Sequence, residues 1–278
     1  MEYNVWSCLF FGLISGLSEF LPVSTLAHQY LYSYITGFSG NNPWIRLMVY
    51  LGCLAAVIAC CWRRLVHISR ELRLSALPKR RRNRVLDNRA IADFKLARIA
   101  LLPMILAMLL SQLAMDRLGN LPMMSLMLIL SGIFIYLPLH MKSGFRNSED
   151  LTPLDGLLLG FVSSLAVIPG LSRMGLTLFA GRRRFCSREA MMDLALVIAI
   201  PMLVCLCVYH FVLVLISGAA LFYSGAWLVG FVTSAAAFGG AVAAIYLMRF
   251  LTVKLDFGGF AFYCWGLAVF SFVYYLIA

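Results

Sequence analysis

Apolar positions along this chain run together in long blocks; they neither alternate nor recur at an amphipathic period. Six blocks, roughly residues 44–62, 95–115, 121–139, 189–215, 222–248 and 257–277, are long enough to cross about 30 Å of hydrocarbon as helices. Four others, around residues 5–20, 24–38, 155–168 and 173–181, are too short or too interrupted to span alone. Pro22 and Pro169 separate the members of each short pair. Proline removes a backbone donor and clashes with the preceding turn, so a helix arriving at either position ends or kinks there. The pattern predicts paired short helices that dip into a bilayer and turn back. Such breaks are tolerated at membrane depth only where they are buried in protein or line a wet cavity.

Basic residues then orient the spans. Between Arg63 and Arg98 there are twelve Lys/Arg against three acids, including the run Lys79-Arg80-Arg81-Arg82. The positive-inside rule makes this segment, about residues 63–94, the cytoplasmic loop. Counting spans outward places Asp116 outside, and Lys142, Arg146, Arg182–Arg184, Arg188, Arg249 and Lys254 inside, with both termini outside. Each half then holds one broken hairpin followed by three spans, and the two hairpins enter from opposite faces. The expected fold is an all-α polytopic membrane protein: an inverted-topology repeat with six transmembrane helices and two re-entrant helical hairpins. It forms a single integral membrane domain over residues 1–278, with repeats at about 1–139 and 150–278. Identity between the repeats is faint, with Gly12-Leu13-Ile14-Ser15 echoed by Gly160-Phe161-Val162-Ser163.

Composition agrees with a membrane class. Hydrophobic residues make up 62% and charged residues 13%, against roughly 45–50% and 25% in soluble domains. No signal peptide is evident at the start, since Met1-Glu2-Tyr3-Asn4 has no basic segment before the first apolar block. The eight cysteines lie mostly within apolar blocks without zinc spacing and read as buried free thiols. The Arg80–Arg82 run reads as an orientation signal touching anionic lipid, so no nucleic-acid partner is expected.

The candidate chemistry sits at the two breaks. Glu19, Ser24, Thr25 and His28 surround the first; Gly170, Ser172, Arg173, Gly175 and Thr177 surround the second. A charge at mid-bilayer costs about 2.5–3.5 kcal/mol on insertion scales, so Glu19 and Arg173 are functional candidates by default. Ser24 or Thr25, and Ser172, are helix N-cap types placed just after a break. Helix N-termini there would attract an anion, and Gly170 and Gly175 would let backbone approach it. Arg173 offers a fork of donors matched to phosphate oxygens. Glu19 beside a phosphate needs Arg173 or a divalent cation between them. His28 can pass a proton near neutral pH, and could activate the Thr25 or Ser24 hydroxyl as a nucleophile. The implied substrate has a phosphate head and an apolar tail. The plainer alternative is a buried Arg173–Glu19 pair that only holds the hairpins together, with the hydroxyls as caps. His67 reads as solvated, and His140 and His210 as span-end residues.

The segments Gly16-Leu17-Ser18-Glu19-Phe20-Leu21-Pro22-Val23-Ser24 with His28, and Pro169-Gly170-Leu171-Ser172-Arg173-Met174-Gly175-Leu176-Thr177, resemble the two signature motifs of the BacA/UppP undecaprenyl-diphosphate phosphatases. The resemblance runs nearly end to end. It implies removal of one phosphate from a polyprenyl diphosphate in the bacterial inner membrane, regenerating the carrier lipid for cell-wall synthesis. It also implies a divalent cation, Mg²⁺ or Ca²⁺, at Glu19. Thr25 falls where the family has a serine proposed as nucleophile, His28 matches its histidine, and Ser172, Arg173 and Thr177 match its phosphate-binding group. The chain departs from the family at Ser15, which stands in place of the other glutamate of an E-x-x-x-E pair, and at Leu26, Ala27, Met174 and Ser163. The expected partners are the polyprenyl diphosphate lipid and the bilayer, with a homodimer left open. The halved acid pair keeps two alternatives in view: a non-hydrolytic polyprenyl-phosphate binder or translocase on the same scaffold, and a structural or regulatory relative.

Overall fold

The computed structural model describes residues 4–78, 85–110, 117–142, 144–217, 225–254 and 257–277, all helical or connecting. Ten α-helices lie among the described residues. The first half contributes α1 (Val5–Phe20), α2 (Thr25–Thr36), α3 (Pro43–Ala76), α4 (Asn88–Leu109) and α5 (Leu121–Tyr136). The second contributes α6 (Pro153–Ser164), α7 (Arg173–Arg183), α8 (Arg188–Ser217), α9 (Ala226–Lys254) and α10 (Gly258–Ile277).

The starts and stops follow local chemistry. Side chains of Asn4, Asn42, Asp87 and Asn120 cap α1, α3, α4 and α5, each accepting a first-turn N–H. Thr152 and Asp155 form a reciprocal capping box at α6. α1 stops at Phe20, two residues before Pro22, and α6 gives way to a 3₁₀ turn, Leu165–Val167, just before Pro169. α1, α2 and α7 hold 16, 12 and 11 residues. At 1.5 Å per residue none of them covers the hydrocarbon thickness alone.

Among the described residues five helices are long and apolar enough to cross a membrane: Pro43–Ala76, Leu121–His140, Arg188–Ser217, Ala226–Thr252 and Gly258–Ile277. The sixth expected span, 95–115, falls on α4, which starts earlier, carries Asp93, Lys95 and Arg98, and contains Pro103. Residues 111–116, including Asp116, lie outside the described residues, as does the Arg80–Arg82 run. The basic segment is also less of a loop than expected. α3 continues to Ala76 and α4 begins at Asn88, because arginine is a good helix former and acids on neighbouring helices balance it. Arg64 pairs with Asp93 of α4 and, at 2.7 Å, with Asp193 of α8, which Arg89 also reaches at 3.2 Å. His67 bonds Asp87 at 2.8 Å. That contact holds the half-exposed Asp87 carboxyl below its ordinary range, so its contribution is present at neutral pH and lost as pH falls through the lowered value.

The two halves exchange helices. α1 packs chiefly on α9, and α6 packs chiefly on α4, so the first helix of each hairpin lies against the second long helix of the other half. α3 meets α8 and α5 meets α10. Glycine makes the exchanged contacts close. A Cβ on Gly12 or Gly16 would overlap the carbonyl oxygens of Thr233 or Ala237, and one on Gly160 would overlap that of Ala100. Outward faces are apolar, with Val208, Phe211 and Ile216 on α8, Leu228, Phe231 and Phe250 on α9, and Val269 and Phe272 on α10 all exposed. A surface of this kind suits hydrocarbon, not water. The eight cysteines are free thiols.

Candidate active site

The two breaks are tied directly to each other. The Gly170 N–H donates to Ser24 Oγ at 3.0 Å, and Ser24 caps α2 by accepting the Ala27 N–H at 3.3 Å. Ser172 caps α7, accepting the Gly175 N–H at 3.1 Å, and its own N–H donates to Ser131 Oγ of α5 at 2.7 Å. Ser24 and Ser172 are thus the caps that the sequence predicts. The glycines serve packing between helices: Gly170 has φ +104°, and a Cβ there would lie 2.6 Å from the Met124 carbonyl oxygen of α5. A Cβ on Gly175 would lie 2.8 Å from Ile135. Both face α5, where the sequence predicts a ligand.

Beneath the breaks, Arg173 Nη2 donates to Glu19 Oε1 and to the Glu19 main-chain oxygen, each at 2.9 Å. The two side chains are only 10% and 7% exposed. The Phe20 ring lies 5.7 Å from the guanidinium carbon, within cation–π range. Nη2 alone makes both protein contacts, so Nε and Nη1 keep their donors without a protein partner among the described residues. Glu19, Arg173 and Thr25 line one cavity of about 290 Å³. The Thr25 hydroxyl, at the first position of α2, has no hydrogen bond among the described residues. Apolar walls come from Met104 and Met108 of α4 and from Met202, Leu206 and Leu213 of α8, while Asn41, Arg46, Tyr50 and His210 supply further polar lining.

His28 stands apart from this cavity. Its Nδ1–H donates to the Ser24 carbonyl at 2.7 Å, and in the neutral ring Nε2 accepts from the Tyr263 hydroxyl at 2.7 Å. The two rings stack at 5.7 Å with an interplanar angle of 4°. His28 therefore braces the start of α2 against α10, and no bond from it reaches Thr25. Thr177 is likewise a bracing residue, donating to the Arg173 carbonyl at 2.8 Å and accepting from Ser163 at 2.5 Å.

Ser15 has a partner that sequence reasoning missed. Gln29 Nε2 donates to Ser15 Oγ at 3.1 Å, with both residues buried. The contact matches Ser163–Thr177 in the second half: both join positions fourteen residues apart across a hairpin. Arg46 and His210 were also missed as lining residues; an arginine opening an apolar block is a signal that could have found the first. For the divalent cation, Glu19 is a single carboxylate with Oε1 committed to Arg173, and among the described residues no three His, Cys, Asp or Glu side chains converge. Ca²⁺ takes six to eight oxygens, and Mg²⁺ near-ideal octahedral ones. These side chains do not fit a dedicated cage for either.

Long apolar helices around two broken hairpins, with a guanidinium–carboxylate pair buried where the breaks meet, define a polytopic membrane protein with a charged internal cavity. A profile described as Bacitracin resistance protein BacA matches residues 8–270. The chain belongs to that family. It is 30% identical over 272 residues to a Neisseria meningitidis serogroup C protein named Undecaprenyl-diphosphatase, covering 95% of this chain and 94% of the relative. It is 28% identical over 282 residues to a Pelotomaculum thermopropionicum protein of the same name, covering 96% of each. A Bacillus cereus protein named Undecaprenyl-diphosphatase 3 is 25% identical over 262 residues, covering 93% and 92%.

Proposed function

We propose that this chain is a membrane phosphatase that converts undecaprenyl (polyprenyl) diphosphate and water into the monophosphate carrier lipid and inorganic phosphate. The observation that carries the reading is Arg173, held by Glu19 in a cavity with apolar walls and two guanidinium donors to spare, in a family whose named relatives are undecaprenyl-diphosphatases. The spare donors suit phosphoryl oxygens, and Met104, Met108, Met202 and Leu206 suit the start of a prenyl tail. Water forms the new bond to phosphorus directly, or the Thr25 hydroxyl does so first and water then hydrolyses the phosphothreonine, releasing inorganic phosphate and restoring Thr25. The P–O bond to the lipid monophosphate breaks and its electrons leave with that group. The attacking hydroxyl's proton passes to Glu19 Oε2, the carboxylate oxygen not bonded to Arg173, so Glu19 positions Arg173 before the step and acts as the base in it. A low-dielectric cavity strengthens both interactions.

Wild-type protein in detergent is expected to release inorganic phosphate from polyprenyl diphosphate. Tight binding without release would favour the non-hydrolytic binder or translocase. A parallel arm with EDTA, then added Mg²⁺ or Ca²⁺, reads out any cation held between Glu19 and the substrate.

The same reading includes the finer topology: an inverted repeat with six spans, two re-entrant hairpins and both termini on the outer face of the bacterial inner membrane. The exchange of α1 onto α9 and of α6 onto α4 supports it, as does the basic character of residues 63–98. In a cysteine-free background, Asn41→Cys is expected to react with an impermeant maleimide in intact cells, and Val85→Cys only after permeabilisation. Labelling of Val85→Cys in intact cells would overturn the orientation.

A further inference from the structure

The polar lining of the cavity falls into two groups that differ in charge balance. In one, Glu19 and Arg173 neutralise each other at 2.9 Å. In the other, Arg46 stands at the fourth position of α3, and its protein partners are neutral. Its Nε donates to the Gly40 carbonyl at 3.3 Å and its Nη2 to Asn41 Oδ1 at 2.7 Å. Among the described residues Arg46 makes no ion pair. A cation at this end of a helix opposes the macrodipole, so the helix gains nothing from it. His210 of α8 lines the same cavity, with its Nδ1 donating to the Leu206 carbonyl at 2.9 Å and its ring 5.0 Å from that of Tyr50.

We propose that Arg46, flanked by Asn41 and His210, is a second anion subsite that takes one phosphoryl group of a diphosphate while Arg173 takes the other. The proposal rests on the phosphatase reading above and deepens it. A diphosphate carries more than one negative charge at neutral pH, and the Glu19–Arg173 pair offers no net charge to balance it. Arg46 supplies the missing cation from a side chain in a cavity whose only cavity-lining carboxylate among the described residues is Glu19. A monophosphate can engage only one of the two arginines, so the subsite discriminates substrate from lipid product and eases product release.

The test uses farnesyl methylenediphosphonate, whose P–C–P bridge resists hydrolysis, and farnesyl monophosphate, bound to detergent-solubilised full-length wild type, Arg46→Gln and Arg46→Lys. Wild type is expected to prefer the diphosphonate about tenfold or more, the worth of one charge-assisted contact. Arg46→Gln should cut that preference to about twofold while leaving monophosphate affinity unchanged, which also shows that the variant is folded. Arg46→Lys should fall between. An undiminished preference in Arg46→Gln overturns the subsite, and so does equal loss for both ligands in both variants. Wild type binding neither ligand overturns the phosphatase reading itself.

Discussion

Arg173→Ala is expected to lower phosphate release by two to three orders of magnitude, the loss seen when one preorganised donor is removed from a dry site. It removes the spare Nε and Nη1 donors and at the same time strands Glu19, a carboxylate only 7% exposed. Breaking a buried pair from one side costs roughly 3–5 kcal/mol, so the melting temperature in detergent should fall as well. Arg173→Ala with Glu19→Gln separates the two effects, because the double variant has no stranded charge. Its melting temperature should recover while release stays lost. Arg173→Lys should restore binding in part, since a point charge replaces a fork. Recovery of release in the double variant would reduce the pair to a strut between the hairpins.

Ser15→Glu is expected to destabilise the fold by several kcal/mol without raising turnover. Ser15 is 0% exposed and accepts from Gln29 Nε2 at 3.1 Å, so a carboxylate there must be desolvated in a space packed for a hydroxymethyl group. Gln29 Oε1 is itself buried without a hydrogen-bond partner among the described residues, and a neighbouring carboxylate oxygen adds a second acceptor against it. Ser15 thus sits in a neutral, buried contact with Gln29. Thermal unfolding and phosphate release against Mg²⁺ concentration measure both halves of the expectation. A several-fold rise in Mg²⁺-dependent turnover at unchanged melting temperature would show that the vacated acid position still works.

Much of this was legible from single residues. Pro22 and Pro169 locate the breaks because proline acts on its own backbone, and Ser24 and Ser172 behave as caps because capping reaches only three residues along. The charges at Glu19 and Arg173 advertise a site by their expense in apolar surroundings. What the sequence hid depends on partners far along the chain. His28 looks like a base for Thr25 until Tyr263, 235 residues away, claims its second nitrogen. Gly170 looks like a ligand contact until α5 fills the space its missing Cβ leaves. His210 looks like a span-end residue until α8 is packed against α3, which turns it into the cavity. The basic segment looks like a loop because dense charge suggests solvation. Its arginines continue two helices and meet Asp93 and Asp193.

The glycine contacts between α1 and α9 also govern how the molecule is made. Gly12 and Gly16 abut the carbonyls of Thr233 and Ala237, so roughly 220 residues of further synthesis separate α1 from the surface it is shaped to fit. At about 5–20 residues per second that is a wait of about 10–45 s at the ribosome. Through that interval the close-packing glycine face of α1 has no α9 to meet. α1 is translated long before the surface it docks on, and a ribosome that stalls before α9 leaves α1 without its partner.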